Sequence, residues 1–223
     1  FINIEPKDEN EYIRPAVDGT MRALKAAKSA GIKRVVLTSS MVSMLGNADK
    51  SIKIDSQSWT NVKGKNVSAY AKSKTLAEQA AWDFINTQSD ASKMELVVVN
   101  PGPVFGPSLS GDLSGASMSM FTQMIQGKMP VLPQASINMS DVRDIAKIHV
   151  LALENVNANG KRFIVTTEEP YAFQEVAKIL KYNGYDKVST KLAPNFLLKI
   201  MSYLDREAKS MRSFVGKTYN GNV

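Results

Sequence analysis

Tyr70 and Lys74 stand four residues apart in the run Tyr70-Ala71-Lys72-Ser73-Lys74, at the head of a stretch of helix formers. On a helix that spacing is roughly one turn, so the phenol and the ammonium share a face. A positive charge beside a phenol favours the phenolate and lowers its pKa, which makes the Tyr a better proton donor. About thirty residues upstream, Ser39-Ser40 closes a short apolar run, and a hydroxyl there could hold a substrate oxygen against the phenol. Reducing a carbonyl needs these groups: a proton donor for the oxygen and a second hydroxyl to polarise it.

The elements that must position them alternate between helix and strand. Val17, Met21, Leu24 and Ala27 recur at helical spacing, which predicts a helix over about 15–30 with Gly31 as its stop. Lys33 to Ser39 reads as a strand apolar on both faces, the pattern of a parallel strand covered by helices. Residues 41–68 are polar and irregular, a long connection of the kind that tends to be functional. A helix over 70–86, a strand over 95–100 ended by Asn100-Pro101-Gly102-Pro103, a helix over 116–126 and another over 141–154 follow. A strand over 162–167, a helix over 173–182 and a helix within 194–212 complete the pattern. This alternation predicts a parallel α/β sheet with right-handed crossovers. Ligands of such sheets bind beyond the carboxyl ends of the strands, the rim where Ser39-Ser40, Tyr70 and Asn100-Pro101-Gly102 converge.

Composition narrows the class. The chain has 223 residues, 43% hydrophobic and 22% charged, values of an ordinary globular protein. No apolar run approaches the roughly 20 residues of a membrane helix, and no secretory signal is recognisable. Zero Cys excludes a disulfide framework and thiol chemistry and is compatible with a cytoplasmic protein. The net charge of +7 is spread among acids with no basic-aromatic stretch, which argues against specific nucleic-acid binding and suits a phosphate-bearing cofactor.

Three runs carry a family resemblance: Val35-Val36-Leu37-Thr38-Ser39-Ser40, then Tyr70-Ala71-Lys72-Ser73-Lys74-Thr75-Leu76-Ala77-Glu78, then Asn100-Pro101-Gly102-Pro103-Val104-Phe105-Gly106-Pro107. They resemble the extended short-chain dehydrogenase/reductases, within them the dihydroflavonol reductase-like and aldehyde/ketone reductase branch. Arg14 to Thr20 and Ser140 to Ala146 with His149 fit the same branch, and the likeness covers about residues 5–167. The resemblance implies a Rossmann-like domain over 1–102 and 141–168, and a smaller α/β substrate-binding part over 103–140 and 169–223. It implies NAD(P)H-dependent reduction of an aldehyde or ketone, with NADP favoured over NAD. Tyr70 is then the proton donor, Lys74 lowers its pKa and holds the nicotinamide ribose, and Ser40 polarises the carbonyl, with Ser39 the fallback. Thr38, Ser39, Pro101, Gly102 and Val104 join Tyr70 and Lys74 around the cofactor. The expected partner is a small carbonyl compound, the expected assembly a monomer or homodimer, with no metal and no membrane.

Two departures qualify the likeness. No Gly-rich phosphate turn follows any strand here, so the chain is expected to be a piece lacking the N-terminal dinucleotide-binding units, inactive alone and with an apolar sheet edge exposed. Leu45 stands where plant dihydroflavonol reductases usually carry an Asn, so Met41, Met44 and Leu45 are expected to line a pocket for a different, less polar carbonyl. Two other functions stay open: a sugar-nucleotide epimerase or dehydratase of the same fold, and a non-catalytic dinucleotide sensor or scaffold. His149, the only His, reads as structural, Asp141 and Asp144 as capping and salt-bridging residues, and Trp59 and Trp82 as packing. The Met-rich segment Met118, Met120, Met124 and Met129 reads first as a core stripe.

Overall fold

A computed structural model describes residues 6–45, 53–64, 67–89, 93–194 and 220–221. The helix expected within 194–212 lies almost wholly outside them. The first helix, α1 (Asn10–Ser29), begins earlier than the sequence suggested. Pro15, where the expected helix begins, lies inside the helix. The start is instead made by side chains, with Asp8 Oδ1 accepting from the Asn10 amide at 3.0 Å and Glu11 Oε1 from the Asp8 amide at 3.2 Å. The far end turns at Gly31, whose φ of +69° is the left-handed conformation that glycine adopts without cost.

The central sheet contains β1 (Arg34–Thr38), β3 (Glu95–Pro101) and β7 (Arg162–Val165), in that order and all parallel. Helix α2 (Ala69–Asn86) joins β1 to β3, and α4 (Val142–Glu154) precedes β7. Strand β3 is buried from Leu96 through Val99, as a central strand covered on both sides must be. Leu96 and Val98 pack with Leu24 of α1 and with Ala81 and Ile85 of α2. Val97 points the other way, onto Ala152 of α4 and Ala158. The strands step in one direction while α2 and α4 cover opposite faces, so the two crossovers have opposite hands. Only one of them can follow the right-handed rule expected for both. Val35, Val36 and Leu37 on edge strand β1 are half-buried.

The remaining elements are short. β2 (Lys53–Ile54) pairs in parallel with β9 (Asn220–Gly221), and β4 (Val104–Phe105) with β6 (Ser140–Asp141). β5 (Ser136–Ile137) runs antiparallel to β8 (Tyr171–Ala172). β5, with α3 (Ala116–Ile125) and α5 (Phe173–Tyr182), borders another apolar cluster, built on Met124, Leu132, Phe173 and Val176. Met120 and Met129 pack against that cluster, so these methionines form a core stripe.

Candidate active site

Strand β1 ends at Thr38, and its ladder continues one bond further, Ser39 N–H to the Val99 carbonyl at 2.8 Å. Ser40 then turns the chain into a 3-10 turn, Met41–Met44, and Ser40 Oγ accepts from the Val42 amide at 3.4 Å. Helix α2 starts where the Ser68 hydroxyl accepts from the Ala71 amide at 3.2 Å. That cap puts Tyr70 in the first turn, at the carboxyl-end rim of the sheet.

The Tyr70 phenol and the Ser40 hydroxyl face each other there, near enough for the hydroxyl to act on the phenol's titration. The Lys74 ammonium lies over the Tyr70 ring, 6.0 Å from its centroid. All three side chains are half-buried. Burial pushes the Tyr70 pKa above its ordinary value, and the Ser40 hydroxyl pulls it part of the way back by bonding the phenolate. The expected lowering by Lys74 is not what dominates: burial does, and it also pushes Lys74 below the ordinary lysine value. Among the described residues no carboxylate forms an ion pair with Lys74.

The other sequence candidates divide. Pro101 is buried at the end of β3, and Gly102 follows it against the β6 and β7 segments. A Cβ on Gly102 would stand 2.9 Å from the Asn138 carbonyl oxygen and 3.0 Å from Thr166 Cγ2, so only glycine fits. Val104 is half-buried in β4. Thr38 is exposed, and its hydroxyl is taken by His149 at 2.7 Å. Ser39 is buried, and its hydroxyl points to Glu78 at 2.5 Å, away from the phenol; Ser40, not the fallback Ser39, meets Tyr70. Met41, Met44 and Leu45 depart from their expected role. They are 4%, 0% and 3% exposed and pack with Ile54 and Ile164 beneath the rim, which leaves them no open surface for a ligand.

Sequence reasoning missed the polar core under the site. Glu78 and Arg162 form a buried ion pair, Nε to Oε1 2.6 Å, and Arg162 also stacks on Trp59 at 3.8 Å. Arg162 donates to the carbonyls of Ser56 and Ser58 at 3.1 and 2.6 Å, which ties the long connection after β1 to the sheet. The available signal was a Glu four residues beyond Lys74 on a helix stripe that should be apolar.

A parallel α/β sheet with a Ser, a Tyr and a Lys gathered at its carboxyl-end rim defines a Rossmann-like fold. The chain belongs to the NAD dependent epimerase/dehydratase family, whose model matches residues 3–166. It is 32% identical over 188 residues to an NADPH-dependent methylglyoxal reductase of Saccharomyces cerevisiae, covering 77% of this chain and 55% of the relative. It is 36% identical over 177 residues to a cinnamoyl-CoA reductase of Medicago truncatula, covering 77% and 52%. The chain thus spans about half the length of these curated relatives. Among solved structures, it matches the yeast methylglyoxal/isovaleraldehyde reductase complexed with NADPH at TM-score 0.74 and 26% identity, covering 93% of this chain and 73% of that one. A UDP-glucose 4-epimerase of Thermotoga maritima matches at TM-score 0.68 and 18% identity, covering 84% and 59%, a likeness of fold alone.

Proposed function

We propose that the full-length protein carrying this chain reduces an aldehyde or ketone to an alcohol with NADPH. The observation that carries the reading is the gathering of the Ser40 hydroxyl, the Tyr70 phenol and the Lys74 ammonium at one rim of the sheet. The residues present suit a nicotinamide nucleotide. Lys74 is a half-buried cation with no carboxylate partner among the described residues, a donor suited to ribose hydroxyls. When bound, the reduced nicotinamide would supply a hydride to the carbonyl carbon, which leaves the former π pair on the oxygen. Ser40 donates a hydrogen bond to that oxygen, and Tyr70, kept protonated by burial, delivers its proton there. Thr38, Ser39, Pro101 and Val104 complete the cofactor side through their backbone, since Thr38 and Ser39 have their hydroxyls engaged elsewhere. Residues 103–140 and 169–223 are the substrate-binding part, with the cluster around Met124 and Phe173 as the buried core of its described segments. NADPH is favoured over NADH because relatives over the matched region are NADPH-dependent reductases.

Tyr70→Phe in the full-length protein is the test. Turnover of small aldehydes should fall about 100- to 10,000-fold while NADPH affinity, read by fluorescence, changes little. Unchanged turnover would refute the assignment. Conversion of a nucleotide sugar without net NADPH consumption would replace it with epimerisation.

A further inference from the structure

Tyr70, Lys74 and Glu78 follow one stripe of α2 at four-residue steps. The first two reach the rim, and the third enters the core, where it is 1% exposed. A carboxylate taken fully out of water is costly unless every lone pair finds a donor. Glu78 finds four. Oε1 accepts from Arg162 Nε at 2.6 Å, and Oε2 accepts from Ser39 Oγ at 2.5 Å, Ser43 Oγ at 2.7 Å and Asn100 Nδ2 at 2.9 Å.

The identity of those donors matters. Ser39 and Ser43 flank Ser40 on either side. The Ser40 carbonyl is itself held by the Ser43 amide at 3.0 Å and Asn100 Nδ2 at 3.3 Å, and the Ser43 hydroxyl, 2.8 Å away, shares its one proton between this carbonyl and Glu78. The helix that carries Tyr70 therefore grips the backbone that carries Ser40, through a single carboxylate. A neutral or apolar core would pack as well, but it would not fix the helix to the strand end with hydrogen-bond precision.

We propose that Glu78 is a positioning residue for the reaction: braced by Arg162, it sets the distance between the Ser40 hydroxyl and the Tyr70 phenol. This rests on the carbonyl-reductase reading. Neither Glu78 nor Arg162 touches substrate; both act through Ser40. The brace also explains why the carboxylate is required. A Gln at 78 has one acceptor and one donor end, so it must either face its NH2 to Arg162 or turn it on the two hydroxyls and the Asn100 amide.

The experiment is a double-mutant cycle in the full-length protein, with alcohol oxidation followed against pH. In that direction Tyr70 must be a phenolate to accept the alcohol proton as hydride leaves for the oxidised nicotinamide, so the acid limb of kcat reports the Tyr70 pKa. Lys74 is the charged group beside the ring. Glu78→Gln and the milder Ser43→Ala should each lower kcat about 10- to 100-fold at little cost in KM. Each should move the acid limb upward in the same sense as Ser40→Ala. Glu78→Gln combined with Ser40→Ala should be no slower than Ser40→Ala alone, because both changes remove one interaction. Folded variants with the parent kcat and pH profile, or losses that multiply in the double variant, would overturn the proposal. If Glu78→Gln does not fold, Ser43→Ala decides by the same readings. Full activity in Tyr70→Phe would instead sink the reductase reading itself, so the two failures are distinguishable.

Discussion

His149 Nε2 on α4 lies 2.7 Å from Thr38 Oγ1 at the end of β1, while His149 Nδ1 lies 2.7 Å from the Ile145 carbonyl oxygen. The carbonyl can only accept, so Nδ1 carries the proton and Nε2 accepts from the Thr38 hydroxyl. Nε2 ties α4 to the end of β1 and Nδ1 is spent on a carbonyl of α4 itself, so neither nitrogen is available as a base. His149→Gln should therefore leave turnover within a few-fold of the parent. It should lower unfolding free energy by about 1–2 kcal/mol in urea titrations, the worth of one or two hydrogen bonds. A loss of turnover of 100-fold or more with stability intact would assign the imidazole a chemical role.

Lys74 sets function against stability. Burial lowers its pKa, so the folded state binds this proton less tightly than the unfolded state does. The sign follows: stability rises with pH between the lowered folded value and the ordinary 10.5, and below that window the charged ammonium is a standing cost. Lys74→Met should abolish most turnover yet melt at the same temperature as the parent or higher at pH 7. The difference in melting temperature should shrink as pH approaches 10. A Met variant that melts well below the parent would show that the ammonium contributes to the fold.

Asp141 titrates in the opposite sense. It caps α4 by accepting from the Arg143 amide at 2.8 Å and takes the Arg143 guanidinium at 2.6 and 2.9 Å. These bonds, the side-chain one first, pull its pKa from 3.8 to about 2. A depressed carboxylate contributes stability that is full above its unfolded value and lost as pH falls through the folded one. Asp141→Asn should be less stable than the parent at pH 7, and the gap should close between about pH 4 and pH 2. A gap that is constant across that range would show that the charge is not what stabilises the helix start.

Gly102 tests the join between β3 and the segments beside it. The Ser140 hydroxyl donates to the Val165 carbonyl at 2.5 Å, and the Asn138 side-chain amide donates to the Thr167 carbonyl at 3.0 Å, so the surroundings are tied down. A methyl at 102 meets the Asn138 main-chain oxygen, which cannot swing away as a side chain can. Gly102→Ala should cost about 1–3 kcal/mol of stability by overpacking and weaken NADPH binding in the full-length protein. Parent-like stability and affinity would show that the strand end shifts freely.

Much of the fold was legible because it rests on local pattern. The sequence reading placed α5 at Phe173–Tyr182, as the structure has it, and β3 within one residue, since an amphipathic helix and an unbroken apolar strand each declare themselves in a short window. The start of α1 was placed late because the apolar spacing begins only at Val17, whereas the side chains of Asp8 and Glu11 make the earlier start. The hand of the crossovers was beyond local pattern: Val97 faces α4 and Val98 faces α2, a fact that depends on which helix returns over which face.

The site divides along the same line. Residue type and spacing singled out Tyr70 and Lys74, because one helical turn is a local distance that any helix reproduces. The family resemblance already preferred Ser40 to Ser39 at the phenol, whereas the withdrawal of Met41, Met44 and Leu45 into the core and the bond from Glu78 to Arg162, 84 residues away, came only with the tertiary structure. Long-range partners are set by how the sheet brings strand ends together, and a buried charge shows its purpose only when its partners converge on it.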